Sequence, residues 1–465
     1  MSTATGQAND PPVKGIASWS TPKKLRALLV LSWMLVVLLF VSGELELDSA
    51  RHAMKTIGKD AAPSIIAAQE IGLALTDMDA NVANGLLGNA AHRAAARRAV
   101  EQRRVALTKS IVDAAENITY GDAEKVPIQA ILTGFGRYLE LAAEARTLFE
   151  RPKEASVAGT PGKDELAALA VYWQASDMLH RELLKAADDL DAANRTYLDN
   201  AYKNAEGSDG VATFFAVLFG GGLLAVLAYT QLFLTRRMRR MVNPALLLAS
   251  FAAVGYAGYL VVRFHSASAD LKLAKEDAFD SVHLLVKART IAYDANADES
   301  RWLLDTSGQR GFEEAFKGKV RLLTTAPETV APASKSQVAF AGLFADELKN
   351  ITFGGEREAA AEMVRTYGNY IAIDREIRRL WRAGKRDAAI ELCIGDRADQ
   401  SNAAFERFDR ALLAVLAINR AELGRAIDRQ TVALKTAEIM SPLCAIAIAI
   451  LIFLGLRPRL REYAA

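Results

Sequence analysis

The sequence predicts an all-α membrane protein of two tandem units, each an extracytoplasmic four-helix bundle flanked by two transmembrane helices. Three observations predict it. Of 465 residues 51% are hydrophobic and yet 24% are charged, which suits long charged helices plus a few very apolar runs. Four apolar runs, Leu25 to Val41, Val211 to Leu234, Ala245 to Val262 and Ile439 to Leu456, of which all but the first are free of charge, are each near the ~20 residues that a helix needs to cross a bilayer. The segments between the runs resemble each other.

Taken in order, residues 1–22 are expected to be a cytoplasmic segment and 23–43 the first span. Residues 44–210 form the first outer bundle, 211–235 the second span and 236–243 a basic cytoplasmic link. Residues 244–263 are the third span, 264–438 the second outer bundle, 439–456 the fourth span and 457–465 a cytoplasmic tail. Orientation follows from the flanks, because Lys and Arg concentrate on the cytoplasmic side. Lys23, Lys24 and Arg26 stand at the start of the first run, Arg236, Arg237, Arg239 and Arg240 fill the link, and Arg457, Arg459 and Arg461 follow the last run. The expected site is therefore the bacterial plasma membrane, with both termini inside. Cleavage after Gly43 remains an alternative for the first run. Cys393 would lie outside and Cys444 within a span, so packing rather than a disulfide must hold the outer domains.

The repeat is carried by short matches. NITYGDAE at 117–124 matches NITFGGER at 350–357, and YLELAAEAR at 138–146 matches YIAIDREIR at 370–378. Asn194-Arg195 matches Asn419-Arg420, and the trio Asp-Ala-Asn occurs at 79–81 and again at 294–296. Within the outer segments apolar residues recur at helical spacing, as in Ala68, Ile71, Leu75, Met78 and Val82. Breaks fall near Gly88, at Tyr120-Gly121-Asp122 and at Pro152 through Gly162, giving about four long helices per bundle. The extra residues from Thr324 to Ser336 read as a loop.

Candidate sites are few. Asp294, Asn296, Asp298, Ser300 and Asp305 stand at positions 1, 3, 5, 7 and 12 of a calcium-loop window. Its sixth position, where Gly would make the turn, is Glu299. The apolar stripe Leu284, Ala288, Ile291, Ala295 and Trp302 runs through the window. The expected structure is a helix with an acidic face and a modest Asp298–Arg301 pair, not a metal site. The five histidines are scattered and read as surface or packing residues. Neither a nucleophile elbow nor a phosphate loop is present, so no enzyme activity and no cofactor are expected. A net charge of +2 argues neither for nor against nucleic acid, and no nucleic-acid partner is expected. Asn117 and Asn350 read as turn caps, and Gly220, Gly221 and Gly222 as helix-packing residues.

Asp79, Asn81, Asp294 and Asn296 are poor mid-helix residues. They either fix helix register or contact a partner. Arg289, Arg137 or Arg378 could hold a ligand carboxylate. Arg236, Arg237, Arg239 and Arg240 are either a topology anchor that touches anionic lipid or a dock for a cytoplasmic partner.

Membrane helix, long outer bundle, membrane helix is the plan of chemoreceptor sensory modules, here without a signalling domain. With its duplicated plan, its Asp-Ala-Asn first helix, its NITFGGER turn and its terminal RLREY, the chain resembles the GlnX-like actinobacterial four-span membrane signalling proteins. The resemblance implies a relay of amino-acid availability, glutamine in particular. It also implies an extracytoplasmic solute-binding lipoprotein outside and a cytoplasmic Ser/Thr kinase inside. The expected function is a non-enzymatic transmembrane signal transducer. The alternatives are a chemoreceptor-like bundle that binds a small molecule directly and a cell-envelope scaffold. Homo-oligomerisation stays open.

Overall fold

A computed structural model describes residues 20–151, 162–238, 243–305, 307–308, 310–325, 341–395 and 397–462. Among the described residues the chain is all-helical, with thirteen α-helices and no strand. The first six are α1 (Thr21–Lys55), α2 (Ala61–Leu87), α3 (Ala90–Glu116), α4 (Asp122–Phe149), α5 (Lys163–Met178) and α6 (Leu184–Met238). Then come α7 (Pro244–Lys272), α8 (Asp280–Leu304), α9 (Phe312–Leu323) and α10 (Leu343–Lys349). The last three are α11 (Glu356–Arg382), α12 (Arg386–Ile394) and α13 (Ser401–Arg461). The chain divides into two compact units. One is Met1–Arg51, Asn204–Ala269 and Gln430–Ala465, and the other is His52–Lys203 and Asp270–Arg429.

The first unit holds the four apolar runs. Leu39, Leu223, Leu260 and Ile452 meet in its core, while Val30, Phe251 and Ile439 are more than 60% exposed. A contiguous outward apolar surface of this kind suits lipid rather than water. Four helices are long and apolar enough to cross a membrane, which fits a membrane protein. Some polar groups inside this unit tie its helices together. Asn243 accepts from the first-turn amides of α7, Ala245 at 3.1 Å and Leu246 at 3.4 Å, and donates to the Gly455 carbonyl at 2.7 Å. Tyr256 and Ser441 share a 2.8 Å hydrogen bond. Of the three glycines, Gly220 sits where a Cβ would come within 2.9 Å of the Ala257 Cβ, so close helix approach requires it there.

The second unit holds both of the segments expected to form one four-helix bundle each. His52–Lys203 and Asp270–Arg429 cluster as one unit, because α2 and α8 lie side by side and parallel. Gln69 Nε2 donates to the His283 carbonyl at 3.2 Å, 214 positions apart, and Ser300 Oγ donates to Asn84 Oδ1, 216 positions apart. That register sets the Asp-Ala-Asn trios at 79–81 and 294–296 level with each other. Each half keeps its own apolar core, with Ile71, Leu107, Tyr138 and Leu183 in the first and Val282, Met363, Phe405 and Phe408 in the second.

The NIT turns build matching local structures. A π-helical turn interrupts the chain before α2 at Thr56–Asp60 and before α8 at Leu273–Phe279. Such a turn leaves carbonyls without their usual partners. Asn117 Nδ2 donates to the Asp60 carbonyl at 2.7 Å and Ser64 Oγ at 2.8 Å. Asn350 Nδ2 donates to the Glu276 and Asp277 carbonyls at 3.2 and 3.3 Å and to Ser281 Oγ at 2.9 Å. Glu124 accepts from the Thr119 and Tyr120 amides, as Glu356 does from Thr352 and Phe353. Both asparagines thus plug the first helix of their half, a longer reach than the turn cap expected of them. The halves also differ, since among the described residues the short helices α9, α10 and α12 occur only in the second. Most of the loop expected from Thr324 to Ser336, and the break from Pro152 to Pro161, lie outside the described residues.

Candidate functional site

Helix α8 runs unbroken to Leu304, so the calcium-loop window is helical up to its last position. The expected Asp298–Arg301 pair is present, but it belongs to a larger buried network. Every residue from Ala292 to Arg301 is buried, because α8 packs on α2 on one side and on its own half on the others. A water-facing stripe and a stripe that faces another helix have the same spacing in sequence.

Arg301 is the centre of the site, with 1% of its side chain exposed. Its Nε and Nη2 donate to Asp79 Oδ2 at 3.1 and 2.5 Å. Its Nη1 donates to Asp294 Oδ1 at 3.1 Å and Asp298 Oδ1 at 2.5 Å. Lys319 on α9 reaches Asp294 Oδ2 at 2.7 Å and also binds Asp298. Asp79 further accepts from Tyr138, Tyr172 and Ser176 at 3.1 to 3.3 Å. Burial and then the Asp79 charge push both phenols well above their ordinary range.

His180 completes the network. Its Nδ1 faces the Ser176 carbonyl at 2.7 Å and its Nε2 faces Asp294 Oδ1 at 3.0 Å. Both partners only accept, so both ring nitrogens must donate and the ring is an imidazolium. Burial pulls its pKa down, but the Asp294 hydrogen bond and charge outweigh that and raise it. Burial likewise opposes ionisation of Asp294, yet Lys319, His180 and Arg301 hold it well below the usual range. Three carboxylates then face three cations, with Asp79 and His180 from the first half and Asp294, Asp298, Arg301 and Lys319 from the second. At an offset of 294 − 79 = 215, the first-half counterpart of Arg301 is Leu86 and that of Asp298 is Ala83. One half alone therefore supplies the central cation.

A second buried group lies on the opposite side of α8. Glu299 is fully buried and neither oxygen has a well-formed hydrogen bond. Ser401, Cys393 and Tyr370 surround it, and burial followed by the nearby charge of Asp374 pushes its carboxyl up to about 7. Asp374 is raised by burial against the pull of Arg378. Arg378 donates to Asp374 at 2.9 Å and lies 4.6 Å from the Trp302 ring and 4.7 Å from that of Phe316.

The other expected site residues fall as follows. Asn81 donates to its own turn, to Asp77, at 2.7 and 2.8 Å, and Asn296 donates to Tyr370 at 3.5 Å. Both line one groove of about 460 Å³ between the halves. Arg289 is already neutralised by a bidentate pair with Asp409, at 2.5 and 2.8 Å, and is thus not poised for a ligand carboxylate. Arg137 is exposed on α4, while Arg378 is committed to Asp374. Arg236 is exposed, and Arg239 and Arg240 lie outside the described residues. Sequence reasoning named Arg301 only as a local partner of Asp298, and it missed Lys319, His180 and the burial of Glu299. The one available signal was the density of charge in a helix that also carried a full apolar stripe.

Residues 53–203 match the family model of the actinobacterial sensor domain. No curated protein and no solved structure matches the chain. The matched stretch coincides closely with the first half of the second unit, His52–Lys203, and it supports an actinobacterial sensor protein with a sensing and signalling role.

Proposed function

We propose that the chain is an integral membrane signal transducer, duplicated in sequence, with its sensory head outside the cytoplasm and both termini inside. The observation that carries this reading is the Arg301 network, read together with the sensor-domain match. A single buried guanidinium ties Asp79 of one half to Asp294 and Asp298 of the other. Two tandem sensor units thereby respond as one body, and an event on either half reaches both. The chain passes between the head and the apolar unit at four points, near residues 51, 203, 269 and 429. Packed helices shift between discrete arrangements rather than deforming continuously, and this gives the head a route to the membrane helices. Outside, the head recognises a solute or a solute-loaded binding protein, with amino-acid availability as the resemblance implies. Inside, the basic link with Arg236, Arg237, Arg239 and Arg240 meets a partner with acidic groups, a Ser/Thr kinase by the same resemblance. The Asp-Ala-Asn trios set the register of the two halves, and the bilayer is the remaining partner.

Orientation is tested with single cysteines in a chain lacking Cys393 and Cys444. Thr108→Cys and Glu358→Cys, both on exposed faces of the head, are expected to react with an impermeant maleimide in intact cells. Met238→Cys is expected to react only after lysis. The reverse pattern at any of the three overturns the topology.

The relay is tested with Arg239→Gln and Arg240→Gln together, which leaves Arg236 and Arg237 and the terminal basic clusters as orientation signals. Normal insertion is expected, with loss of the cytoplasmic partner in a crosslinked pull-down and greater salt sensitivity of what remains. Wild-type recovery of every crosslinked partner would reduce the link to a topology anchor.

A further inference from the structure

At one end of the head, both halves line a single open cleft of about 1280 Å³. The first half contributes the end of α2, the start of α3 and the end of α4, and the second half contributes the ends of α8 and α11 and the start of α12. The floor is apolar, with Leu87, Phe149, Leu169, Trp381 and Ile390. The walls carry Arg93, Arg97, Arg98, Arg151 and Arg386 against Glu150, Glu165 and Asp387. Two of the arginines are neutralised locally, Arg97 by Glu150 and Arg151 by Asp164. The other three have no carboxylate partner among the described residues. Arg93 donates to the Gly88 carbonyl at 2.9 Å, Arg386 lies 5.1 Å from the Trp381 ring, and Arg98 is exposed. The N-terminus of α12 also opens here without a side-chain cap, which adds unbonded amides and the positive end of a helix dipole.

We propose that this cleft binds a small polyanion carrying at least two carboxylate or phosphate groups. Guanidinium forks pair with planar oxyanions in two parallel hydrogen bonds, and Arg98 and Arg386 offer such forks from opposite halves. One anionic group would leave the other wall unneutralised, so the cleft selects a ligand with two. The volume exceeds the upper range of pockets that enclose a drug-sized molecule, about 1,000 Å³, and leaves room for hydrated ends. The ligand bridges α3 of the first half and α12 of the second, so occupancy draws the halves together at the end of the head. This inference supplies the ligand class for the sensor proposed above. Direct binding to the purified chain can fail while the crosslinked relay persists, so the failures of the two readings are told apart.

The test uses the full chain in nanodiscs, with citrate and inorganic pyrophosphate as probes and sodium chloride at matched ionic strength as the control. Either probe is expected to bind by calorimetry and to raise the unfolding midpoint by several degrees above the salt control. Arg98→Gln with Arg386→Gln is expected to weaken that binding by about tenfold or more. Its own midpoint without probe should stay at the wild-type value, because neither side chain holds an ion pair in the fold. Arg365→Gln, whose pair with Glu362 lies elsewhere on the surface, should bind as wild type. Binding of pyrophosphate alone identifies a phosphate ligand, and binding of citrate alone a carboxylate ligand. If neither probe binds above the salt control, or if the double variant binds as tightly as wild type, the cleft is not an anion site.

Discussion

Arg301→Met is expected to destabilise the head by about 3–5 kcal/mol, the usual cost of leaving buried charge uncompensated. Asp79 is fully buried and would keep only the Tyr138, Tyr172 and Ser176 hydroxyls as donors. Asp294 and Asp298 would share Lys319 alone beyond the His180 contact. Thermal unfolding of the purified chain should fall by roughly 10 °C. The compensating experiment separates charge from packing. Asp79→Asn combined with Arg301→Met removes a carboxylate with the guanidinium and is expected to recover part of the loss, because contacting residues are not additive. If Arg301→Met melts with the wild type, or if the double variant is as unstable as the sum of the two single variants, the network does not join the halves as described.

The same network shows how far the sequence could be read. The apolar runs, the helical class and the breaks at Gly88 and Gly121 were legible, because hydropathy length and turn chemistry are local properties. The matching NIT turns were legible as a pattern, and their structural role followed once the π-helical turns were seen. The pairing of α2 with α8 was not legible. Their apolar stripes point inward and their charged stripes face each other, and a charged stripe reads the same whether it meets water or a partner of opposite sign. Arg301 looked like half of a local pair with Asp298 three residues away, while its shortest link across the halves, to Asp79, spans 222 positions. His180 and Lys319 were invisible for the same reason. Arg289 appeared free because its partner Asp409 lies 120 positions on. The arginine-lined cleft was hidden more deeply, since its walls come from separate helix ends that only the joined halves bring together.

Glu299 gives the head a second, pH-dependent term of opposite character. Its carboxyl is raised from 4.5 to about 7, so the folded state holds a proton that the unfolded chain has released. The stability tied to that proton is fully present below pH 4.5. It declines as pH rises towards about 7 and is lost above it, a linkage of roughly 3 kcal/mol. Glu299→Gln keeps the shape and removes the titration. The variant is expected to lose less stability than wild type between pH 5 and pH 7 and to be the more stable of the two at pH 8. His180 acts in the same direction, since its raised pKa means that its contribution is lost as pH climbs past the folded value. Burial also raises Glu347 to about 7, and since Glu347 is common to both proteins, the difference between the variant and wild type reports Glu299. Asp294, held well below 3.8, contributes stability that disappears only in stronger acid, outside the window. Denaturant unfolding of both proteins at pH 5, 6, 7 and 8 checks the expectation. Parallel curves would mean that Glu299 is ionised in the folded head, and that Ser401 and Tyr370 solvate the carboxylate well enough to offset its burial.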